Sequence, residues 1–473
     1  MSVSNQQLQE WLNAKECEHL EFKEVKNNFH FEKLVKYCAA LANEGGGSIV
    51  LGVTDTRPRQ VVGSQVFNDL ERTKAGLIER LRLRIEASEI MHPDGRVLVF
   101  TAPPRPIGMP IAIEGAYWIR AGEDLAPMTP DMLKRIFDEA GPDFSAEICP
   151  KATLADLEPA AIEDLRRRWH QKSQNAAMLR MSVKRLLEDA ELITGDDVTY
   201  AALILLGTRR AVGQYLAQAE VIFEYRSTEA AGPANQREEF RQGFLVFYDR
   251  LWELVNLRND MQHYQAGLVM VNVPTFHERA VREAILNAVC HRDYRLPGSV
   301  FVRQYARRIE IVSPGGFPPD ITPDNILDKQ NPRNRRIAET LLRCGVVERS
   351  GQGADRMFEE MIAHGKSLPD YSRSDPFDVF LSLPGDLRHP DLLRFLGRVD
   401  PEKISHFDSH DLLVLRDAAI GERIPAALRP RATELVERGF LDRSRGGKYI
   451  LARKYTRKAG TAAEQRPALA SKC

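Results

Sequence analysis

Between residues 31 and 53 a helical pattern, a glycine triplet and an apolar strand pattern follow one another without a gap. Leu34, Val35, Cys38, Leu41 and Ala42 recur at helical spacing over Phe31 to Asn43. Asn43-Glu44-Gly45-Gly46-Gly47 breaks that pattern, and Ser48-Ile49-Val50-Leu51-Gly52-Val53 reads as a strand buried on both faces. A strand of that kind needs neighbours beside it and layers above and below it, which restricts the segment to an α/β arrangement. The glycine triplet lacks the Gly-Lys-Ser/Thr ending of a phosphate loop. It also leads from helix to strand, the reverse of that loop, so it reads as a helix C-terminal turn.

The strand expected to lie beside it is Glu16-Cys17-Glu18-His19-Leu20-Glu21-Phe22-Lys23. Alternation puts Glu21 and Lys23 on one face, expected to be the open one, and Leu20 and Phe22 on the other. Asp55 closes the second strand. If the two strands are neighbours, Glu21 and Asp55 converge, with Glu16 entering from the preceding turn and Glu18 as its rival. Carboxylates meeting around one cation are what metal-assisted phosphodiester hydrolysis requires, and a lysine such as Lys23 would offset phosphorane charge. The competing reading is an exposed charged strand with weak i, i+2 ion pairs.

The 473-residue chain has zero formal net charge, so any nucleic-acid surface must be local. Its six cysteines (Cys17, Cys38, Cys149, Cys290, Cys344, Cys473) contain no C-x-x-C pair, which suits free thiols in a reducing compartment. No apolar run approaches the roughly 18 residues of a membrane span, and the polar N-terminus lacks a signal-type core. The expectation is a cytoplasmic protein without membrane partners. Residues 1–140 read as a compact α/β domain with a long helix over Phe67 to Ile85, and 141–265 as an α/β connector containing a strand at Glu220 to Tyr225. Leu165-Arg166-Arg167-Arg168-Trp169 lies in that connector and reads as a solvated helix surface.

Residues 266–388 carry a second cluster. Over Arg282 to Tyr294, Glu283, Asn287 and His291 or Cys290 stack at i, i+4 spacing on one helix. A carboxylate one turn before an amide can orient a water and hold Mg²⁺. Glycine turns at Gly315-Gly316 and at Gly351 and Gly353 could let backbone N–H groups approach phosphates. Residues 389–458 are more basic: from 401 onward there are fifteen Lys/Arg against nine Asp/Glu. Helices over His410 to Ala418 and Pro430 to Arg438 precede a hairpin with a basic tip at Arg443, Arg445 and Lys448, which suggests a winged helix that binds nucleic acid or docks a protein. Residues 459–473 read as a disordered tail.

Two resemblances follow from these residues. Glu16 … Leu20-Glu21-Phe22-Lys23, Ala42-Asn43-Glu44-Gly45-Gly46 and Gly52-Val53-Thr54-Asp55 resemble the Schlafen AlbA-2 domain family, and Tyr117 to Gly122 is similar to its closing Arg-x-Gly strand. Nucleases of that type cut tRNA and other RNA with two Glu and one Asp around a divalent metal. The resemblance therefore implies Glu16, Glu21 and Asp55 as ligands of Mg²⁺ or Mn²⁺, with Lys23 beside them. Other members are regulators assumed only to bind nucleic acid. His291-Arg292-Asp293-Tyr294, Ser313-Pro314-Gly315-Gly316, Asn331-Pro332-Arg333-Asn334 and Ser350-Gly351-Gln352-Gly353 resemble an ATP-binding module of the GHKL-like fold, often labelled a helicase C-terminal domain. There Glu283 would be the water-activating base and Asn287 the Mg²⁺ ligand. His291, Asp293, Gly315, Gly316, Gly351 and Gly353 would surround the ATP. Ser313 stands where the wider fold reads adenine with Asp.

The expected whole is a mixed, multidomain α/β protein: a Schlafen-like α/β domain, a connector, a GHKL-like α/β sandwich and a C-terminal winged helix. Its expected function is a metal-dependent endonuclease acting on tRNA-like RNA or other nucleic acid, gated by ATP, homo-oligomeric, and suited to bacterial antiviral defence. The alternative is an ATP-responsive DNA-binding transcriptional regulator without nuclease activity.

Overall fold

A computed structural model of the chain describes residues 5–13, 19–121, 124–139, 143–229, 232–266, 269–318, 321–329, 331–346, 353–444 and 446–456. The chain divides into two compact units, Met1–Pro142 and Asp143–Cys473.

The first unit opens with α1 (Asn5–Asn13), β1 (Leu20–Lys23), α2 (Phe31–Asn43) and β2 (Gly47–Leu51). β1 and β2 are parallel neighbours, with Glu21 opposite Ile49 and Lys23 opposite Leu51. The glycine triplet is a helix stop. Gly45 and Gly46 adopt φ of 93° and 95°, and the Gly46 amide donates to Leu41 O at 2.8 Å. A Cβ on Gly47 would lie 2.4 Å from His19 O, so only glycine lets β2 enter this close beside the first strand.

The helix α3 (Leu70–Leu81) is capped by Asp69, which accepts from the Arg72 amide at 2.8 Å. It ends at Arg82 in a left-handed conformation, φ 56°, well short of the expected Ile85. β3 (Glu86–His92) and β4 (Gly95–Ala102) complete a sheet of order β1-β2-β4-β3. β5 (Ala112–Ile113), β6 (Ala116–Ala121) and β7 (Asp124–Pro127) form a second small sheet before α4 (Pro130–Glu139). Leu34, Cys38, Leu41, Ile49, Leu51 and Phe100 form the core on one side of the main sheet. Leu8, Phe22, Val50 and Val99 form it on the other. The face carrying Glu21 and Lys23, expected to be open, is therefore the face α2 covers.

The second unit begins with α5 (Pro159–Ser173), α6 (Val183–Asp189), a short hairpin β8 (Ile193–Thr194) and β9 (Asp197–Val198), α7 (Tyr200–Leu206) and α8 (Arg209–Tyr215). Then come β10 (Val221–Tyr225), β11 (Gln236–Phe240), α9 (Phe244–Asn256), the hairpin β12 (Met261–Ala266) and β13 (Val269–Pro274), and α10 (Glu278–His291). β14 (Val300–Gln304), β15 (Arg308–Pro314), α11 (Arg335–Arg343), α12 (Gly353–Ala363) and β16 (Asp378–Pro384) follow. The sheet order is β11-β10-β14-β15-β16, with β10 and β14 parallel and the other pairs antiparallel. The segment read as a connector thus supplies β10, β11 and α9 to this sandwich. One apolar core runs from Cys149 through Leu251 and Ile285 to Leu383.

The C-terminal elements are α13 (Pro390–Leu396), α14 (Pro401–Ile404), α15 (Ser409–Ile420), α16 (Arg429–Glu437), the hairpin β17 (Leu441–Arg443) and β18 (Tyr449–Leu451), and α17 (Arg453–Thr456). They enclose their own core, including Phe395, Leu415, Leu435 and Leu451. Among the described residues no helix is long and apolar enough to cross a membrane. Residues 459–473 lie outside the described residues.

Candidate functional sites

In the first unit the sheet brings Glu21, Lys23 and Asp55 together. The Lys23 ammonium sits 2.6 Å from Glu21 Oε1 and 3.9 Å from Asp55 Oδ2, and 5.6 Å over the Tyr37 ring. Asp55 Oδ1 accepts from the Glu24 amide at 2.6 Å, which ties the segment after β2, where the sequence reading ended the strand at Asp55, to the residue that follows β1. Beyond these expected neighbours stands Arg120 of β6, whose guanidinium ion-pairs with Glu21 Oε2. Both side chains of that pair are fully buried, whereas Asp55 is half exposed.

A buried carboxylate requires such partners, because an isolated charge in the interior costs several kcal/mol. Here the two carboxylates and two cations sum to zero charge, and each oxygen of Glu21 already faces a cation. Among the described residues, Lys23 and Arg120 thus hold the positions beside Glu21 that a divalent metal bound there would take. Glu16, the third expected ligand, lies outside the described residues, as do Glu18 and Gly122.

The second unit contains a cavity of about 710 Å³ between α10, the strands β15 and β16, and the segment leading into α11. Glu283, Asn287 and His291, spaced one turn apart on α10, all line it, as does Ser313 from β15. Glu283 is buried in its wall. The Ser313 hydroxyl donates to Ala288 O at 2.8 Å, which leaves its oxygen lone pairs as acceptors. Burial, reinforced by the nearby Arg333 guanidinium, lowers the His291 pKa to about 4, so the ring is neutral near pH 7. Its Nδ1 is buried without a hydrogen-bond partner. Lys329 and Arg335, the latter paired with Glu339 at 2.7 Å, line the cavity with positive charge, and Tyr371 and Phe317 supply aromatic walls, with their rings 5.6 Å apart. These four lie outside the sequence motifs, and only the fold brings them to α10.

The glycine turns behave differently from the expectation. The Gly315 amide donates to Phe377 O at 2.6 Å, and a Cβ there would meet Arg333 Nη1 at 2.4 Å and Asp293 Cβ at 2.6 Å. A Cβ on Gly316 would meet Pro376 O at 2.6 Å. Both glycines permit close packing of protein on protein and do not line the cavity. Asp293 is likewise engaged locally, its Oδ1 accepting from the Arg295 amide at 3.0 Å. The neighbouring Arg292 is buried, donating to Asp293 O, Leu296 O and Gly298 O at 2.6, 2.9 and 2.7 Å. Asn334 holds the C-terminal end of α10 by donating to Cys290 O at 2.9 Å and Arg292 O at 2.7 Å. Gly353 opens α12, whose next residue Ala354 lines the cavity; Gly351 lies outside the described residues.

The β17–β18 hairpin presents Arg443 and Lys448 to solvent, with Arg443 donating to the Tyr449 hydroxyl at 3.2 Å and resting 5.2 Å over its ring. Arg445, at its tip, lies outside the described residues. The arginines of α5 are tied down. Arg166 donates to Met178 O and Met181 O at 2.8 and 2.6 Å, and Arg168 pairs with Asp164 and Asp249. The described cysteines Cys38, Cys149, Cys290 and Cys344 are free and buried, and burial pushes Cys38 and Cys290 up to about 12, which makes them unreactive.

Three segments of the chain match family models. Residues 16–129 match the family described as "Schlafen, AlbA_2". Residues 134–222 match a domain of unknown function, DUF8451. Residues 298–381 match the family described as "Putative ATP-dependent DNA helicase recG C-terminal". No curated protein matches the chain. Among solved structures, the DIP2311 protein from Corynebacterium diphtheriae is similar, at 22% identity and a TM-score of 0.52 over 92% of each chain, a likeness of fold. The chain thus carries an N-terminal AlbA_2/Schlafen-like domain and a GHKL-like ATPase module in a mixed α/β architecture.

Proposed function

We propose that this protein is an ATP-binding regulator that contacts nucleic acid through its AlbA_2-like domain and its C-terminal hairpin. The observation that carries the reading is the placement of Glu283, Asn287 and His291 along one wall of the 710 Å³ cavity. That volume lies in the range of small-molecule and nucleotide sites. An adenine amino group would donate to the Ser313 hydroxyl oxygen, and Lys329 and Arg335 would attract the phosphates. Asn287 would hold Mg²⁺ through its amide oxygen, and the ion supplies charge neutralisation to the phosphates when bound. Glu283 would take a proton from the water that attacks the γ-phosphorus, as the bond to the ADP oxygen breaks. The elements read as a winged helix, α15, α16 and the β17–β18 hairpin, would bring Arg443 and Lys448 to DNA.

In this reading the AlbA_2-like domain binds nucleic acid without cutting it, because Glu21 is neutralised by Arg120 and Lys23. The test is fluorescence anisotropy of labelled DNA and tRNA with and without ATP. Binding that changes with ATP supports the proposal, and nucleic-acid affinity indifferent to ATP contradicts it.

A second reading, a metal-dependent endoribonuclease active in antiviral defence, is favoured by one observation. Lys23 bridges Glu21 and Asp55, so the two carboxylates do converge on one cationic point. Incubating wild type and Glu21→Gln with tRNA, total RNA and DNA in Mg²⁺ or Mn²⁺ separates the readings. Cleavage by wild type that the variant loses would establish the nuclease.

A further inference from the structure

His277 precedes the first turn of α10, Glu360 lies in the last turn of α12, and His364 immediately follows that helix. Some 83 residues separate the first from the second in sequence, yet the fold closes the three side chains on one another. One donor atom from each lies within 4.8 Å of the donors of the other two. His277 Nδ1 is 3.2 Å from Glu360 Oε2, close to the edge of about 3.4 Å expected for a tetrahedron with bonds near 2.1 Å. The two imidazole rings lie 4.0 Å apart, centre to centre.

Three further observations suit a ligand set better than an ordinary polar cluster. The His277 Nδ1 atom is buried and makes no hydrogen bond, although Glu360 Oε2 stands only 3.2 Å away. His364 Nδ1 lies 2.8 Å from Glu360 O and 3.7 Å from Glu360 Oε2, which holds the ring edge-on to the carboxylate. Arg279 Nη1 contacts the other carboxylate oxygen, Glu360 Oε1, at 3.3 Å and so orients Oε2 toward the histidines. The side chains remain 14–28% exposed, enough for an ion to enter and for water to take a fourth position.

We propose that His277, Glu360 and His364 form a zinc site that clasps the start of α10 to the end of α12. Two imidazoles and one carboxylate suit Zn²⁺ and exclude Mg²⁺, which requires oxygen ligands. The site is separate from the cavity, whose α10 residues begin at Glu283. Zinc would therefore fix the relative register of the two helices that border the cavity without touching a nucleotide.

The experiment is equilibrium dialysis of the full chain against buffered Zn²⁺ and, separately, Mg²⁺, with metal content read by plasma mass spectrometry. Visible absorption after Co²⁺ substitution reports a four-coordinate site. About one equivalent of Zn²⁺ per chain, no retained Mg²⁺, and at least about tenfold weaker zinc binding in Glu360→Gln and His364→Ala are expected. His92→Ala, remote in sequence and paired with Asp94, should bind as wild type. Circular dichroism in chelator shows whether each variant is folded, and His277→Gln replaces any that is not. Absence of stoichiometric zinc, or zinc binding unaffected by the ligand substitutions, would overturn the proposal.

Discussion

Arg120 closes its guanidinium on the carboxylate of Glu21 inside the first unit, and neither side chain reaches solvent. The pair joins β6 of the small sheet to β1 of the main sheet, with Lys23 as a second cation on the same carboxylate. Removing one partner of such a pair leaves an uncompensated buried charge, whereas replacing both with apolar groups can be neutral. Arg120→Met should lower the stability of the first unit by about 3–5 kcal/mol in urea denaturation, and Glu21→Leu with Arg120→Met should recover most of it. A small effect of Arg120→Met alone would mean that the pair is open in solution.

Gly315 offers a test of what the glycines do. Its φ is 123°, and a Cβ at this position would stand 2.4 Å from Arg333 Nη1, so alanine strains the backbone and displaces a guanidinium. Gly315→Ala should therefore reduce thermal stability by several degrees, with any loss of ATP affinity following from that. Undiminished stability with selective loss of ATP binding would instead place the glycine at the phosphates.

The neutral His291 predicts a pH dependence. Its pKa falls from 6.5 to about 4 in the folded protein, so below pH 6.5 the unfolded chain takes up a proton that the native state does not. Stability contributed by this ring is fully present above pH 6.5 and is lost as pH falls toward 4. His389 is also shifted downward, chiefly by burial, and acts in the same direction. His291→Gln should flatten the stability profile between pH 6.5 and 4 relative to wild type, measured as denaturation midpoints across that window. An unchanged slope would contradict the assignment of a neutral ring.

Asn334 is buried and donates to two carbonyls at the end of α10. Asn334→Ala should cost about 1–3 kcal/mol by leaving acceptors unpaired. The end of α10 carries His291, so this change should also weaken ATP binding. Loss of stability with wild-type ATP affinity would separate the helix end from the cavity.

Where a segment's own pattern decides its structure, the sequence was readable. The helix Phe31–Asn43 follows from its apolar spacing, and the helix stop at Gly45-Gly46 from residues that tolerate positive φ. The strand Glu86–His92 was hidden because Leu77, Leu81 and Ile85 continue a helical period, while the chain turns at Arg82, a residue that does not announce a left-handed stop. Alternation placed Glu21 beside Lys23 but on an open face. That face is covered by α2 and by Arg120, which only the tertiary fold brings over it. Glu283 and Asn287 were legible because one turn of helix aligns them. Lys329, Arg335 and Tyr371, and the His277–Glu360–His364 group, come from segments whose juxtaposition no local spacing encodes. The strand Gln236–Phe240 has no counterpart in the sequence reading, and it lies at the edge of its sheet with Arg237 and Glu239 exposed.

The most direct test of the account is calorimetric titration of the full chain with ATP and Mg²⁺, comparing wild type, Asn287→Ala and Glu283→Gln. The account predicts saturable binding near one ATP per chain and at least about tenfold weaker binding in Asn287→Ala, consistent with loss of a metal ligand. Glu283→Gln should retain binding and lose any hydrolysis. No saturable ATP binding by the folded wild type, or affinity unchanged by Asn287→Ala, would contradict it.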